Sequence, residues 1–483
     1  MRPRVIFYLF GLLIVFLGVN MLASMAWSLY YGEPQWLDFL FTIVGTFIVG
    51  GGLIWRGWSG TNFTIYKKEA LMIVSGSWII SGLFGAVPLY ISGYAPCYID
   101  AFFEIVSGFT TTGASILSNV EVLPKGLLFW RSYTHWLGGM GIIVLFVALI
   151  PFVGASGKKM YQFEAPGPDV EGIKPTIQLT SLILWAIYIG FTLLESILLM
   201  LAGMPLFDAL CHTFGTMGTG GFSTKNASIA YYSNPWIHII ILVFMISAGT
   251  NFTLYYYFFK RKTSLIWRDS EYRVYLIITL ISIAIVSGLL IRHRQFTNWD
   301  EAFLYGSFNT VSVMTTTGYA TADFDQWSDS IKIILFALMF IGGCGGSTAG
   351  GIKIIRFIIL VKYAYNQIIK SYVPHRRFIL RVSNKVIDKD VVKRTLSYFF
   401  LHIFLFIGGV ILMGIAGTDW ISAFSSVAAC LNNIGPGFGQ VGPLCNYGFL
   451  PGFAKLALSF FMIAGRLEIY ALLVLFIPDY WRR

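Results

Sequence analysis

The 483-residue chain is 56% hydrophobic and 17% aromatic but only 12% charged, with a mean hydropathy of +0.71. No chain of this length could keep such a surface in water, so composition excludes a soluble globular protein and leaves an integral membrane protein. The formal net charge of +11 raises the question of a nucleic-acid partner, which the placement of the charges answers.

Apolar stretches of about 20 residues, the length of one crossing, fit near 7–30, 38–56, 70–93, 128–152, 176–202, 236–259, 274–291, 330–365, 395–416 and 453–477. The first is too long for a signal peptide and lacks a small-residue cleavage site, so a retained helix is expected. With the N-terminus inside, only Lys125, Arg131, Lys225, Arg292, Arg294, Lys332 and Lys455 fall on the outer side, and Arg466 falls within a span. Every other Lys and Arg lies on the cytoplasmic side, the bias that orients membrane proteins. A multi-pass membrane protein with both termini cytoplasmic and no nucleic-acid partner is expected. Glu33, Asp38, Asp100, Glu104, Glu121, Asp208, Asp300, Glu301, Asp323, Asp325, Asp329 and Asp419 fall outside or in segments dipping from there. They read either as an acidic mouth that concentrates cations or as ordinary solvated loops. Cys97, Cys211, Cys344, Cys430 and Cys445 show no metal or redox spacing and read as free thiols.

Between the long spans sit apolar segments at 99–110, 205–217, 302–314 and 420–431, too short to cross and too apolar for water. They predict re-entrant half-helices. Each runs into a glycine-bearing loop: TTTGAS at 110–115, TGGFS at 219–223, TTTGYAT at 315–321 and NNIGPGFG at 432–439. The glycines in register, Gly113, Gly221, Gly318 and Gly435, recur roughly every 100 residues, a repeat period that sets the fold. At one offset before the glycine stand Asp100-Ala101-Phe102, Asp208-Ala209-Leu210 and Ser422-Ala423-Phe424; the third unit departs with Tyr305-Gly306-Ser307.

The expected fold is therefore an all-α integral membrane protein of four pseudo-fourfold repeats, each a span, a half-helix (pore helix), a filter loop and a span. Two N-terminal transmembrane helices precede them. The divisions are 1–66 for the leader, 67–160 and 161–262 for the first two repeats, and 263–371 for the third. A cytoplasmic hairpin linker follows at 372–394 and the fourth repeat at 395–483. In the linker Phe378, Leu380 and Val382 alternate before Ser383-Asn384-Lys385 and Val386, a hairpin pattern. It reads as a docking surface or as a charged linker.

Irregular backbone at membrane depth is tolerated only where protein buries it or it lines a wet cavity. Four loops about one axis would present rings of carbonyl oxygens, the neutral ligands that replace the water of a large monovalent cation. Glycine permits the backbone angles that aim such carbonyls inward. The coordinating backbone would come from Thr111, Thr112 and Gly113, from Thr219, Gly220 and Gly221, from Thr316, Thr317 and Gly318, and from Asn433, Ile434 and Gly435. The threonine hydroxyls would brace the loops from behind.

These loops resemble the four filter loops of the Trk/Ktr/HKT cation-transporter superfamily. The run Ile341-Gly342-Gly343-Cys344-Gly345-Gly346-Ser347-Thr348-Ala349-Gly350-Gly351-Ile352-Lys353 resembles the gate loop of its TrkH branch, as do Ala464-Gly465-Arg466-Leu467-Glu468 and the two-helix leader. The resemblance covers essentially the whole chain. It implies a K+-translocating subunit with one pore per chain, a homodimer, and a cytoplasmic nucleotide-binding regulatory subunit (TrkA-like). Glycine at all four positions is the potassium-preferring pattern. K+ is then cargo, with no organic cofactor on this chain.

Independently of resemblance, the glycines at 342–351 cannot hold a membrane helix, so this span should break near mid-membrane. The break reads as a gate, with Gly345, Gly346, Gly350 and Gly351 its flexible part, or as close helix packing. Lys353 either fixes the loop to the helix end or repels cations. Arg466 either places a charge below the filter or neutralises carboxylates together with Glu468. Glu195 reads as a satisfied interhelical contact or as a proton-coupling group, and His135, His212 and His402 read as satisfied polar groups rather than metal ligands. A K+/H+ or K+/Na+ symporter on the same scaffold is the rival reading. A membrane enzyme is disfavoured: the chain has no HExxH, no GxSxG and no carboxylate pair within a span.

Overall fold

The protein is described here by a computed structural model covering residues 1–58, 65–141, 177–373, 380–383 and 385–482. Among these, six helices are long and apolar enough to cross a membrane: Pro3–Tyr30, Trp36–Gly57, Lys67–Ile91, Leu179–Leu201, Ser270–Arg292 and Lys389–Ile415. Only closed backbone hydrogen bonding survives in lipid, which is why these apolar runs are helical. The leader helices lie against each other through glycine: a Cβ on Gly11 would sit 2.6 Å from the Gly50 carbonyl. Small residues of this kind let membrane helices approach.

The four expected half-helices are Tyr98–Phe109, Leu206–Gly218, Trp299–Met314 and Trp420–Leu431. The first packs on Lys67–Ile91 where Gly82 and Gly85 leave room for Phe102, Ile105, Val106 and Phe109. Carboxylates favour their N-terminal ends: Asp100, Asp208, Asp300 and Glu301 lie in first turns, and Asp419 caps the fourth by accepting from Ser422 N. Negative charge there suits the positive end of the helix dipole. Burial raises the Asp419 carboxyl, but the Ser422 hydroxyl and nearby N–H groups outweigh it and hold it below the usual carboxylate range.

The second helix of every unit stops short, a departure from the unbroken crossings expected at 236–259 and 453–477. Lys125–Gly139 ends at Gly139, and residues 142–152 of that expected span lie outside the described residues. Pro235–Ala248 and Phe252–Phe259 meet at 97°, and Gly452–Arg466 and Tyr470–Phe476 at 120°. Between Leu338 and Ile354 there is no helix. The second break is made by Gly249 together with Asn251, whose side chain caps the new helix by accepting from Thr253 N. The fourth is a γ-turn, in which Tyr470 N donates to Glu468 O across Ile469 at φ 69° and ψ −54°.

In the linker before the fourth repeat, Arg381–Val382 pairs antiparallel with Lys385–Val386. Leu380 and Val382 pack on Ile359 and Val392. Phe378 and Asn384 of the expected hairpin lie outside the described residues.

Candidate functional site

Each half-helix ends in the same turn. Thr111, Thr219, Thr316 and Asn433 adopt left-handed φ of 54°, 56°, 57° and 56°, and two residues later Gly113, Gly221, Gly318 and Gly435 have φ of 83°, 80°, 82° and 97°. The hydrogen bonds repeat as well: Thr111 N, Thr219 N, Thr316 N and Asn433 N donate three residues back. Thr112 N, Gly220 N, Thr317 N and Ile434 N donate five residues back. Four segments with different side chains share one backbone.

Their arrangement closes on itself. A Cβ built on Gly113 would fall within 3.0 Å of the Gly220 carbonyl oxygen, one on Gly221 within that distance of Thr317 O, and one on Gly318 of Ile434 O. A Cβ on Gly435 would lie 2.5 Å from Thr112 O. Each glycine thus faces the carbonyl preceding the glycine of the next loop, and the fourth returns to the first. The structure brings all twelve expected residues into this one ring, at the C-terminal, partially negative ends of the half-helices.

The ring is held from outside by the expected threonine hydroxyls and by groups the sequence did not single out for it. Tyr447 OH donates to Gly435 O at 2.7 Å, and Tyr319 OH to His212 O at 2.9 Å. His135 joins the first and second units, its Nδ1 2.7 Å from Gly108 O and its Nε2 accepting from Phe222 N at 3.2 Å. Thr110 and Thr112, and likewise Thr315 and Thr317, pair their hydroxyls at 2.8 and 2.9 Å. Glu104 and Arg131 form a fully buried pair, Glu104 also accepting from Ser115 Oγ and Ile116 N, with the guanidinium 4.1 Å from the Phe222 ring centre. Lys455 pairs with Asp100 at 2.5 Å, and Asp208 accepts from Thr224 and Tyr232.

These contacts correct the acidic-mouth expectation for Asp100, Glu104 and Asp208, which are buried and engaged in tethering loops. Asp300, Glu301 and Asp329 remain exposed. The histidines divide. His135 and His212 are satisfied, the latter by Asp208 O and Ser223 Oγ. Neither ring nitrogen of buried His402 has a hydrogen bond. Buried Glu195 has the Thr216 hydroxyl beside it, which itself donates to His212 O.

Directly beneath the ring lies the segment between Leu338 and Ile354. Gly350 N donates to Thr316 Oγ1 at 2.6 Å, and a Cβ on Gly350 would meet Asn432 O at 2.5 Å. The segment also takes up backbone groups that the broken second unit leaves open: Cys344 N donates to Gly249 O at 2.9 Å and Thr348 Oγ1 to Ala248 O at 3.1 Å. Gly345 and Gly346 lie in the same stretch, and Phe252 N donates to Gly346 O. Lys353 Nζ donates back to Ala349 O, which supports its loop-fixing reading. Arg466 reaches Thr348 O at 2.7 Å and Gly138 O and Gly139 O at 2.6 Å, spanning the loop and the first unit. Glu468 pairs with Arg356.

A multi-pass helical membrane protein with a coaxial ring of carbonyls over a non-helical plug is a membrane transport protein in its architecture. The model of the TrkH cation transport protein family matches residues 37–483, and the chain belongs to that family. It is 36% identical to the Trk system potassium uptake protein TrkG of Escherichia coli (strain K12), covering 99% of each chain. It is 35% identical to the Trk system potassium uptake protein TrkH of Vibrio parahaemolyticus, covering 100% of each. The crystal structure of the potassium transporter TrkH from Vibrio parahaemolyticus superposes with a TM-score of 0.90 at 33% identity over 100% of both chains. These relatives are transporters, not enzymes.

Proposed function

We propose that this protein takes up potassium across the bacterial inner membrane through a K+-selective pore within one chain. The closed cycle of glycine-to-carbonyl contacts carries the reading, because it puts four carbonyl-bearing turns around a single axis. Stripping an ion of water costs on the order of 20 kcal/mol by idealised estimates, and fixed carbonyl dipoles replace that water without binding the ion irreversibly. Thr111 to Gly113 and their counterparts in the other loops supply the ligands. The negative helix ends add to the attraction, and the membrane potential contributes about 2.3 kcal/mol per charge per 100 mV.

The plug below is the gate. Gly345, Gly346, Gly350 and Gly351 let it move, Lys353 folds it onto itself, and Arg466 ties it to the first unit while placing positive charge under the ring. The Trk system names of the relatives support a cytoplasmic nucleotide-binding regulatory subunit (TrkA-like) that works this gate; the resemblance adds a homodimer, and the charge bias puts both termini in the cytoplasm. The test is 86Rb+ uptake by vesicles containing this protein, with Gly113→Ser and Gly318→Ser beside it. Uptake that favours K+ over Na+ in the parent and loses that preference in both variants is expected; unchanged preference in both overturns the assignment.

One observation favours a second reading, K+/H+ symport: Glu195 is a fully buried carboxyl with no basic partner among the described residues, beside the Thr216 hydroxyl behind the second loop. A reversal potential that follows the proton gradient in the parent, and no longer does so in Glu195→Gln, would establish it.

A further inference from the structure

Both stems of the plug are held by one side chain that the ion path does not use. Glu271 Oε1 accepts from Gly345 N at 2.7 Å and from Ile355 N at 3.0 Å. Gly345 belongs to the plug, and Ile355 to the first turn of the helix that follows it, Ile354–Tyr372. The carboxylate is buried, so the two N–H groups have it rather than water as their acceptor.

The residue before it connects to the cytoplasmic surface. Ser270 N donates to Ser383 Oγ at 2.9 Å, and Ser383 N donates to Ser270 Oγ at 3.2 Å. Ser383 directly follows the strand Arg381–Val382. Beside that strand Leu380 and Val382 pack on Ile359, in a cluster that includes Ile355 and Ile358. Lys362 Nζ adds a bond to Arg381 O at 2.7 Å. One cytoplasmic strand therefore bears on the helix end that carries Glu271 and on the helix that leaves the plug.

We infer that Glu271 is the positioning residue that holds the plug beneath the glycine ring, and that the strand ending at Ser383 controls it through Ser270. This rests on the plug being the gate. Force on the strand pulls Ser270, displaces the Glu271 oxygen from Gly345 N and Ile355 N, and frees the plug at both stems together. A backbone N–H hydrogen-bonded to a charged group is held more firmly than one bonded to a neutral group, so a carboxylate suits a hold that must survive until it is pulled.

The plug carries its own reporter. Cys344 is fully buried, as are Cys211 and Cys430 elsewhere, whereas Cys97 and Cys445 are exposed. In reconstituted vesicles, alkylation by N-ethylmaleimide read residue by residue by mass spectrometry is measured alongside 86Rb+ flux without any partner. For Glu271→Ala, Cys344 alkylation and flux are expected to rise about tenfold, the equivalent of one lost charge-assisted bond, with Cys211 and Cys430 still protected. Glu271→Gln keeps an oxygen facing both N–H groups but loses the charge, so it should fall between the parent and Glu271→Ala. Ser383→Ala, which loses one of the two serine bonds, should fall between.

Cys344 protection equal to the parent's in Glu271→Ala and Ser383→Ala overturns the inference. So does exposure of Cys211 and Cys430 together with Cys344, or a Glu271→Gln variant as exposed as Glu271→Ala. If Glu271→Ala does not fold, Ser383→Ala decides alone by the same protection measurement. Absence of flux in Glu271→Ala as well as in the parent, with Cys344 exposed, would count against the pore reading, while the alkylation pattern still decides the role of Glu271.

Discussion

At the scale of single residues, the four glycines differ from most others in the chain by what surrounds them. Gly221 has φ of 80° and faces Thr317 O. Gly190 and Gly408 lie in helices with nothing within 4 Å of where a Cβ would be. Gly221→Ala forces a left-handed alanine, costing roughly 1–2 kcal/mol, and drives a methyl group against a ring oxygen. Rubidium uptake is expected to fall at least about tenfold for a barrier increase of that size, with weaker discrimination against sodium. Gly190→Ala and Gly408→Ala should transport normally and melt no lower than the parent in detergent. The glycines were legible in the sequence because they recur just after short apolar segments, a pattern that a repeated structural unit produces and chance does not. The left-handed residues two positions earlier were not. Threonine is β-branched and rarely adopts positive φ, so Thr111, Thr219 and Thr316 gave no sign of the turn they make.

At the scale of elements, the half-helices appeared in the sequence nearly at their observed limits, since a short apolar run bounded by turn residues has a recognisable length. The breaks in the second helices did not, apart from the glycine run. Gly249 and Asn251 carry the signs of a stop followed by an N-cap, but both sit inside a long apolar stretch that reads as one crossing. Ile469 carries no sign at all, and its γ-turn exists because tertiary packing buries it beside Ile352 and Tyr398. Loop anchoring was equally hidden. The Glu104–Arg131 pair fixes the segment after the first glycine, and both side chains are almost completely buried. Glu104→Ala leaves the guanidinium uncompensated and should cost about 3–5 kcal/mol, whereas Glu104→Leu with Arg131→Met should cost much less. Thermal unfolding in detergent, read for the single and the double variant, checks both. Beneath the ring, Arg466→Lys cannot span Thr348 O, Gly138 O and Gly139 O with one ammonium. Partner-free rubidium flux is expected to rise severalfold.

At the scale of the molecule, a ring made from one chain has a seam. Successive units are joined by the polypeptide, but the fourth meets the first only through noncovalent contacts. Asn433 Nδ2 donates to Thr112 Oγ1 at 3.0 Å, Tyr447 N to Ser115 O at 2.8 Å, and Lys455 pairs with Asp100 across a separation of 355 residues. No sequence pattern marks such a pair; Asp100 read as a mouth carboxylate because its partner lies at the far end of the chain. The position of the pair implies that it maintains the width of the ring as well as its stability. Lys455→Met leaves a buried carboxylate alone, at a cost of about 3–5 kcal/mol, while Asp100→Asn with Lys455→Met removes both charges and should regain most of it. If the seam sets the ring, the single variant loses potassium-over-sodium discrimination as well as melting temperature, and the double variant recovers both. Recovered melting temperature with discrimination still lost would mean that the charges themselves, and not closure of the seam, set the spacing of the carbonyls.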